Sequence, residues 1–177
     1  MDYKEYFLKN KLNIFLVLIL ILAFILRLKY FNINTAVWWD EAEYLVKAKN
    51  WAFGTTDLGY SPIRPIFLSL CWAFLYKLGS NEVVLRFVTE LLPSFGSIFL
   101  IYLIGKEFYN KEIGLIASFL ASVFWLDLFS TARLLTENVS VFFSLISIYY
   151  FWKGFVKKEK SVYIWYCGIF LVIAALT

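Results

Sequence analysis

The stretch IFLSLCWAFLYKL, Ile66–Leu78, is apolar except for Ser69 and Lys77, and it lies between Pro65 and Gly79. It is 13 residues long, whereas a helix needs roughly 20 to cross the hydrocarbon core of a bilayer. The segment is therefore expected to lie as an interfacial or half-buried helix that does not cross. That reading sets the side of the membrane for everything after it. If the segment crossed, the hinge Ser130–Asn138 would move to the face opposite the acidic stretch Asp40–Glu43.

The rest of the chain reads more directly. Its 177 residues are 62% hydrophobic and 17% charged, with mean hydropathy +0.72, a composition beyond that of a soluble domain. The expected fold is an all-α polytopic membrane protein, one transmembrane module with about five transmembrane helices. The spans are expected at 12–31, 83–104, 113–129, 139–155 and 162–177, and the last reads as an interrupted run. Residues 32–64 form a loop with a helix beginning near Asp40 and stopping at Gly54. Arg27 and Lys29 are expected to snorkel from the end of the first span.

Lys4, Lys9 and Lys11 precede the first span, and no small-residue cleavage site follows it. An uncleaved first helix with a cytoplasmic N-terminus is expected, in a multi-pass protein of the cell membrane. The long loop and the hinge then share the outer face. The positive-inside bias supports this weakly, because nine Lys and Arg fall inside and eight outside. Those outer eight gather near the acidic loop and the hinge.

The net charge of +4 is scattered at segment ends, which excludes a nucleic-acid role. The absence of histidine removes His-based triads and His metal sites. Cys71 and Cys167 lie in apolar runs and read as packing residues. Acid–base or metal chemistry must then use carboxylates, tyrosine or lysine.

The stretch AVWWDEAEYL, Ala36–Leu45, places three carboxylates after two tryptophans. Two readings stand side by side. Asp40 is a good N-cap with Glu43 at the reciprocal position of a capping box, Lys47 follows Glu43 at i+4, and Trp38 and Trp39 anchor the interface. Alternatively, Asp40 and Glu41 project into a cavity as a base or as ligands of a hard divalent cation. Arg86 and Glu90 are four apart in a span, as are Arg133 and Glu137 in TARLLTEN. Arg86 and Glu90 read as an intrahelical pair near the outer interface, and Arg133 and Glu137 as a snorkelling pair at the outer end of a span, yet intramembrane charges usually face one another or a cavity. Together with Arg64, they would make a pocket for an anionic, oxygen-rich ligand. The sequon Asn138-Val139-Ser140 abuts lipid and is discounted.

The acidic pair with Tyr44, then SPIRPIFLSLCWAFLYKLGSNEVVLRF, YLIGKEFYNKEIGLIASFLASV and ARLLTENVSVFF, resemble in that order the GT-C lipid-dependent glycosyltransferases. Protein O-mannosyltransferases and lipid A aminoarabinose transferases are the nearest in pattern, and the likeness runs from about Val37 to Phe151. It implies a polyprenyl- or dolichyl-phosphate sugar donor, an outer-face reaction and a protein, lipid or glycan acceptor. It implies that Asp40 is the catalytic acid, with Glu41 beside it. By the same resemblance Arg86 lies near the lipid phosphate, and Arg64, Arg133, Glu137 and Tyr44 line the substrate site. A divalent cation held by Asp40 and Glu137 is an optional addition. The chain departs from the pattern at Arg64, where a His or a small polar residue is expected, and in being much shorter than family members.

The implied chemistry is inverting sugar transfer, with Asp40 deprotonating an acceptor hydroxyl and arginines stabilising the departing phosphate. Two rivals belong to other classes. A non-catalytic module would bind a lipid phosphate or a partner membrane protein. A small transporter would suit the intramembrane charges but leave the acidic loop unexplained.

Overall fold

The computed structural model describes residues 3–31, 37–56 and 63–177, and side chains from residue 11 onward within the first helix. It is 81% helix, with no strands among the described residues. Helix α1 runs Tyr3–Phe31, α2 Trp39–Phe53 and α3 Phe67–Lys77. Next, α4 (Glu82–Arg86), a π-helical turn (Phe87–Leu91) and α5 (Leu92–Phe108) follow without a break. Then come α6 (Lys111–Ser122), α7 (Trp125–Ser130), α8 (Glu137–Phe151), a second π turn (Trp152–Val156) and α9 (Val162–Leu176).

Among the described residues, three helices are long and apolar enough to cross a membrane: Lys11–Phe31, Glu82–Phe108 and Glu137–Val156. Large apolar side chains point outward along them and along α6 and α9, such as Ile25, Leu120 and Leu171. The protein is thus an integral membrane protein. Two shorter apolar helices, α3 and α9, accompany the three. The 11 residues of α3 rise only about 16 Å. Pro65 precedes α3, and Gly79 follows it at φ 82°.

The run 113–129, expected as one span, is instead two helices with a break at Phe124, whose ψ of 114° is extended. Arg27 explains part of this break. Rather than snorkelling, it is fully buried, and it donates at 3.3 Å to the Ser122 carbonyl at the end of α6. It also donates to Ser94 Oγ at 2.7 Å and pairs with Asp127 of α7. A guanidinium carries five donors, so one side chain can tie α1 to α5 and to both sides of the break.

The π turn has a similarly local cause. Pro93 lacks an N–H, and its ring crowds the carbonyl four residues back, at Thr89. The ladder widens there, and Leu92 N–H bonds to the Phe87 carbonyl five residues back. The bulge sits between Arg86 and the apolar half of the helix.

Helices α5 and α6 meet on glycine. A Cβ on Gly114 would lie 2.6 Å from the Tyr102 carbonyl oxygen, and one on Gly105 would lie 2.8 Å from Gly114 Cα. Close backbone approach of this kind holds membrane helices together. Gly114→Ala is expected to lower thermal stability by about 1–3 kcal/mol, whereas Gly168→Ala, which meets open space, leaves it unchanged or raised. Unfolding in detergent followed by tryptophan fluorescence checks the pair.

Helices α8 and α9 pack through aromatics, with Phe143 and Phe170 stacked at 5.8 Å and 13°. Ser147 Oγ donates to the Cys167 carbonyl at 2.9 Å. The main buried core joins α2 and α3 through Tyr44, Leu45, Ala48, Leu68, Trp72 and Tyr76, and it takes in Leu85, Leu134 and Val139. This core fixes α2 against the start of the second long helix and against the hinge before α8.

Candidate active site

Helix α2 is capped two residues earlier than its acidic pattern suggests. Trp38, in extended conformation, is the N-cap, so Asp40 is not. Trp38 has no side-chain acceptor, and Glu41 compensates by reaching back to the Trp38 backbone N–H at 3.4 Å. Glu41, not Glu43, is therefore the reciprocal member of the cap. The two-residue shift sends Glu41 inward and leaves Asp40 half exposed, at 49%.

Glu41 is fully buried. Arg133 lies 3.7 Å from its Oε1, and Arg86 lies 4.0 Å from its Oε2. Both arginines are buried as well. Arg133 also packs against two aromatic faces, 4.1 Å from the Trp38 ring centroid and 5.3 Å from that of Phe129. Burying a guanidinium between a carboxylate and aromatic faces limits the desolvation cost. The intrahelical pair expected of Arg86 and Glu90 and the snorkelling pair expected of Arg133 and Glu137 thus give way to contacts between segments. Arg133 lies in the non-helical hinge ahead of α8, and the π turn separates Arg86 from the helical geometry that would set Glu90 four residues on.

Glu90 is fully buried too. It accepts from Asn138 Nδ2 at 3.0 Å, and the Thr89 hydroxyl lies 3.2 Å from its other oxygen. Thr89 in turn accepts from Trp72 Nε1 at 3.1 Å. Glu41 and Glu137 both lie within electrostatic range of Glu90. Asn138 is itself buried, and Ser130 Oγ donates to its carbonyl oxygen at 3.0 Å.

Above this buried layer sits Arg64, half-buried at 31%. Its Nε donates to Glu43 Oε2 at 2.7 Å, and a terminal nitrogen pairs with Asp40 Oδ1. Trp39 Nε1 fixes the second Glu43 oxygen at 2.7 Å. The hydrogen bond from Arg64 holds the Glu43 carboxyl below the usual carboxylate range, helped by Trp39 and opposed by burial. Arg64 itself is held more firmly in its charged form. Arg64 also lies over the Tyr44 ring, 5.8 Å from its centroid; burial raises the Tyr44 phenol, and Arg64 and Thr136 oppose that.

The sign of the Glu43 shift gives a pH test. A depressed folded value stabilises fully above the unfolded carboxylate value and is lost as pH falls through the lower one. The melting difference between wild type and Glu43→Gln is expected to hold steady near neutrality and shrink below about pH 4. A melting series in detergent across that range checks it; a constant gap would be the contrary result.

Two cavities flank these charges. An apolar groove of about 790 Å³ is lined by Phe67, Cys71, Phe74, Leu92, Val139 and Phe142, with Thr89 at its edge. A second, of about 400 Å³, lies beneath Trp38 and reaches Asp127, Glu137 and Asn138. Among the described residues, no group of three or more acidic or cysteine side chains is placed to hold a metal ion, and the Asp40 carboxylate is engaged by Arg64.

The sequence-predicted residues Asp40, Glu41, Tyr44, Arg64, Arg86 and Arg133 therefore converge, and Glu137 stands beside them at the start of α8. Glu43, Asn138 and the Arg27–Asp127 pair belong to the same polar assembly, although the sequence reads Glu43 as a cap partner, Asn138 as part of a sequon and Arg27 as a snorkelling residue. Their signal is weak, because each partner is distant in the chain.

The family model described as dolichyl-phosphate-mannose-protein mannosyltransferase matches residues 63–177, well over half the chain. The chain belongs to that family. The match takes in Arg64, Arg86, Arg133 and Glu137 and begins after the acidic helix. No curated protein and no solved structure matches the chain. Dolichyl-phosphate-mannose-protein mannosyltransferases are membrane glycosyltransferases of the mannosyltransferase kind that take dolichyl-phosphate sugars as donors. Their GT-C type agrees with the all-helical architecture.

Proposed function

We propose that this chain carries the catalytic centre of an inverting transfer of mannose, or a related sugar, from a polyprenyl- or dolichyl-phosphate donor to a hydroxyl acceptor at the outer membrane face. The observation that carries this reading is the juxtaposition of an accessible carboxylate, Asp40, with an accessible guanidinium, Arg64. Both rest on a buried base of Glu41, Arg86 and Arg133.

Asp40 accepts the acceptor's hydroxyl proton as the oxygen attacks the anomeric carbon. The bond from that carbon to the phosphate oxygen breaks on the opposite side, and lipid phosphate departs with the electron pair. Arg64 neutralises the developing charge, since a planar guanidinium matches phosphate oxygens. Arg86 and Arg133, buried against Glu41, aim the start of α2 and supply positive potential from below. Pre-set charge of this kind acts on the transition state without reorganising. Membrane lipid surrounds the apolar faces, and the 790 Å³ groove suits the donor's isoprenoid chain. The N-terminus is cytoplasmic in this arrangement, with α2 and the hinge outside.

The test uses the full chain in lipid vesicles with radiolabelled dolichyl-phosphate mannose. Transfer of label to protein, lipid or glycan acceptors is expected. Saturable binding of the donor with no turnover under any acceptor would instead support a lipid-phosphate-binding module.

A further inference from the structure

Asp40 and Glu43 are three residues apart on α2, so they share one helix face. Arg64 approaches that face from the far end of the loop, just ahead of α3, and grips the two carboxylates with different nitrogens. The grip is asymmetric. Nε meets Glu43, whose side chain is 10% exposed and whose other oxygen Trp39 holds. The terminal nitrogen meets Asp40, whose side chain is 49% exposed. One end of the guanidinium is therefore anchored in a buried cradle, and the other rests on an accessible carboxylate.

The Arg64 terminal nitrogen sits on Asp40 Oδ1, the oxygen an attacking hydroxyl would need. Asp40 as the structure holds it is thus occluded from an acceptor. Accessible ion pairs exchange readily, being worth little net free energy. A phosphate offers more charge and more acceptor oxygens than one carboxylate.

We propose that Arg64 is a donor-operated latch on Asp40, with Glu43 as its pivot. The proposal rests on the reading of Asp40 as the general base. When the donor's phosphate enters, the terminal nitrogen of Arg64 passes from Asp40 to a phosphate oxygen while Nε stays on Glu43. Asp40 is then released as a base in the same movement that neutralises the leaving group. Without donor, the base is masked. Glu43 is a positioning residue in this scheme, acting through Arg64.

The test is chemical modification rather than turnover. The full chain in lipid nanodiscs is pulsed with a water-soluble carbodiimide and glycine ethyl ester at neutral pH, and labelling at Asp40 is read by peptide mass spectrometry. Dolichyl phosphate is expected to raise labelling roughly threefold to fivefold, within the range an accessible ion pair controls, and dolichol to leave it unchanged. Arg64→Ala is expected to give the raised level with no addition, and Glu43→Gln an intermediate one.

Equal labelling of wild-type Asp40 with and without dolichyl phosphate overturns the latch, as does an equal rise with dolichol. The wild-type comparison stands even if Arg64→Ala fails to fold. Full transfer activity in Asp40→Asn would remove the base while leaving the labelling result intact, so the two failures are distinguishable.

Discussion

Asp40→Asn is expected to cut sugar transfer by about 10²–10⁴-fold, the usual contribution of a positioned general base, while leaving the fold intact. The two halves of that expectation have separate physical sources. Asparagine keeps the shape of aspartate and can still accept a hydrogen bond from Arg64, but it cannot take a proton from an attacking hydroxyl. Asp40 is half exposed and contributes nothing to the hydrophobic core, so stability should move by less than about 1 kcal/mol. Initial rates with labelled dolichyl-phosphate mannose, read beside a melting curve in the same detergent, check both halves. Undiminished transfer would remove Asp40 from the mechanism.

The neighbouring residue should behave in the opposite way. Glu41→Leu is expected to cost about 3–5 kcal/mol of stability, because breaking a buried ion pair leaves its partner charge uncompensated. Here two partners are exposed to that penalty, Arg86 and Arg133, both buried. The Trp38 backbone N–H also loses the acceptor that caps it. Adding Arg133→Met, which removes one of the two buried cations that lose Glu41, should recover part of the loss. Melting midpoints and protease resistance of the single and double variants measure this. A midpoint like that of wild type in Glu41→Leu would show that the buried triad contributes no net stability. The adjacent pair Asp40 and Glu41 would then be separated by experiment into a group that reacts and a group that holds.

Much of this arrangement is visible in the sequence. The apolar runs mark the long helices, Pro65 and Gly79 bound the short α3, and Gly54 ends α2 in the left-handed region at φ 71°. The acidic cluster and the three arginines were visible because such residues are costly near lipid. What escaped depends on distance or on phase. Arg27 stands near the end of an apolar run, where snorkelling is the cheapest local solution, but its carboxylate partner is 100 residues away. The helical start at Trp39 was hidden because Trp38 is a poor cap and the remedy, Glu41, lies inside the helix. The spacing of Arg133 and Glu137 fits a simple snorkelling pair, whereas the Thr131–Thr136 turn lets Arg133 reach Glu41 of α2 instead. Glu43 looked like a surface partner for Lys47; Lys47 instead lies over the Trp51 ring at 5.2 Å, and Glu43 is taken by Arg64.

The π turn at Phe87–Leu91 has a meaning beyond the proline that provokes it. Each residue of a regular helix turns the chain by about 100°, so one extra residue in a turn changes the phase of everything on either side. The helix Glu82–Phe108 is in effect two rods sharing an axis and disagreeing about direction. The rod after the bulge points its small residues, Ser94 and Ser97, into the bundle, as lipid-embedded packing requires. The rod before it is free to point Arg86 at Glu41. A single continuous periodicity could satisfy the membrane or the buried Glu41 carboxylate, and the bulge lets one helix answer to both.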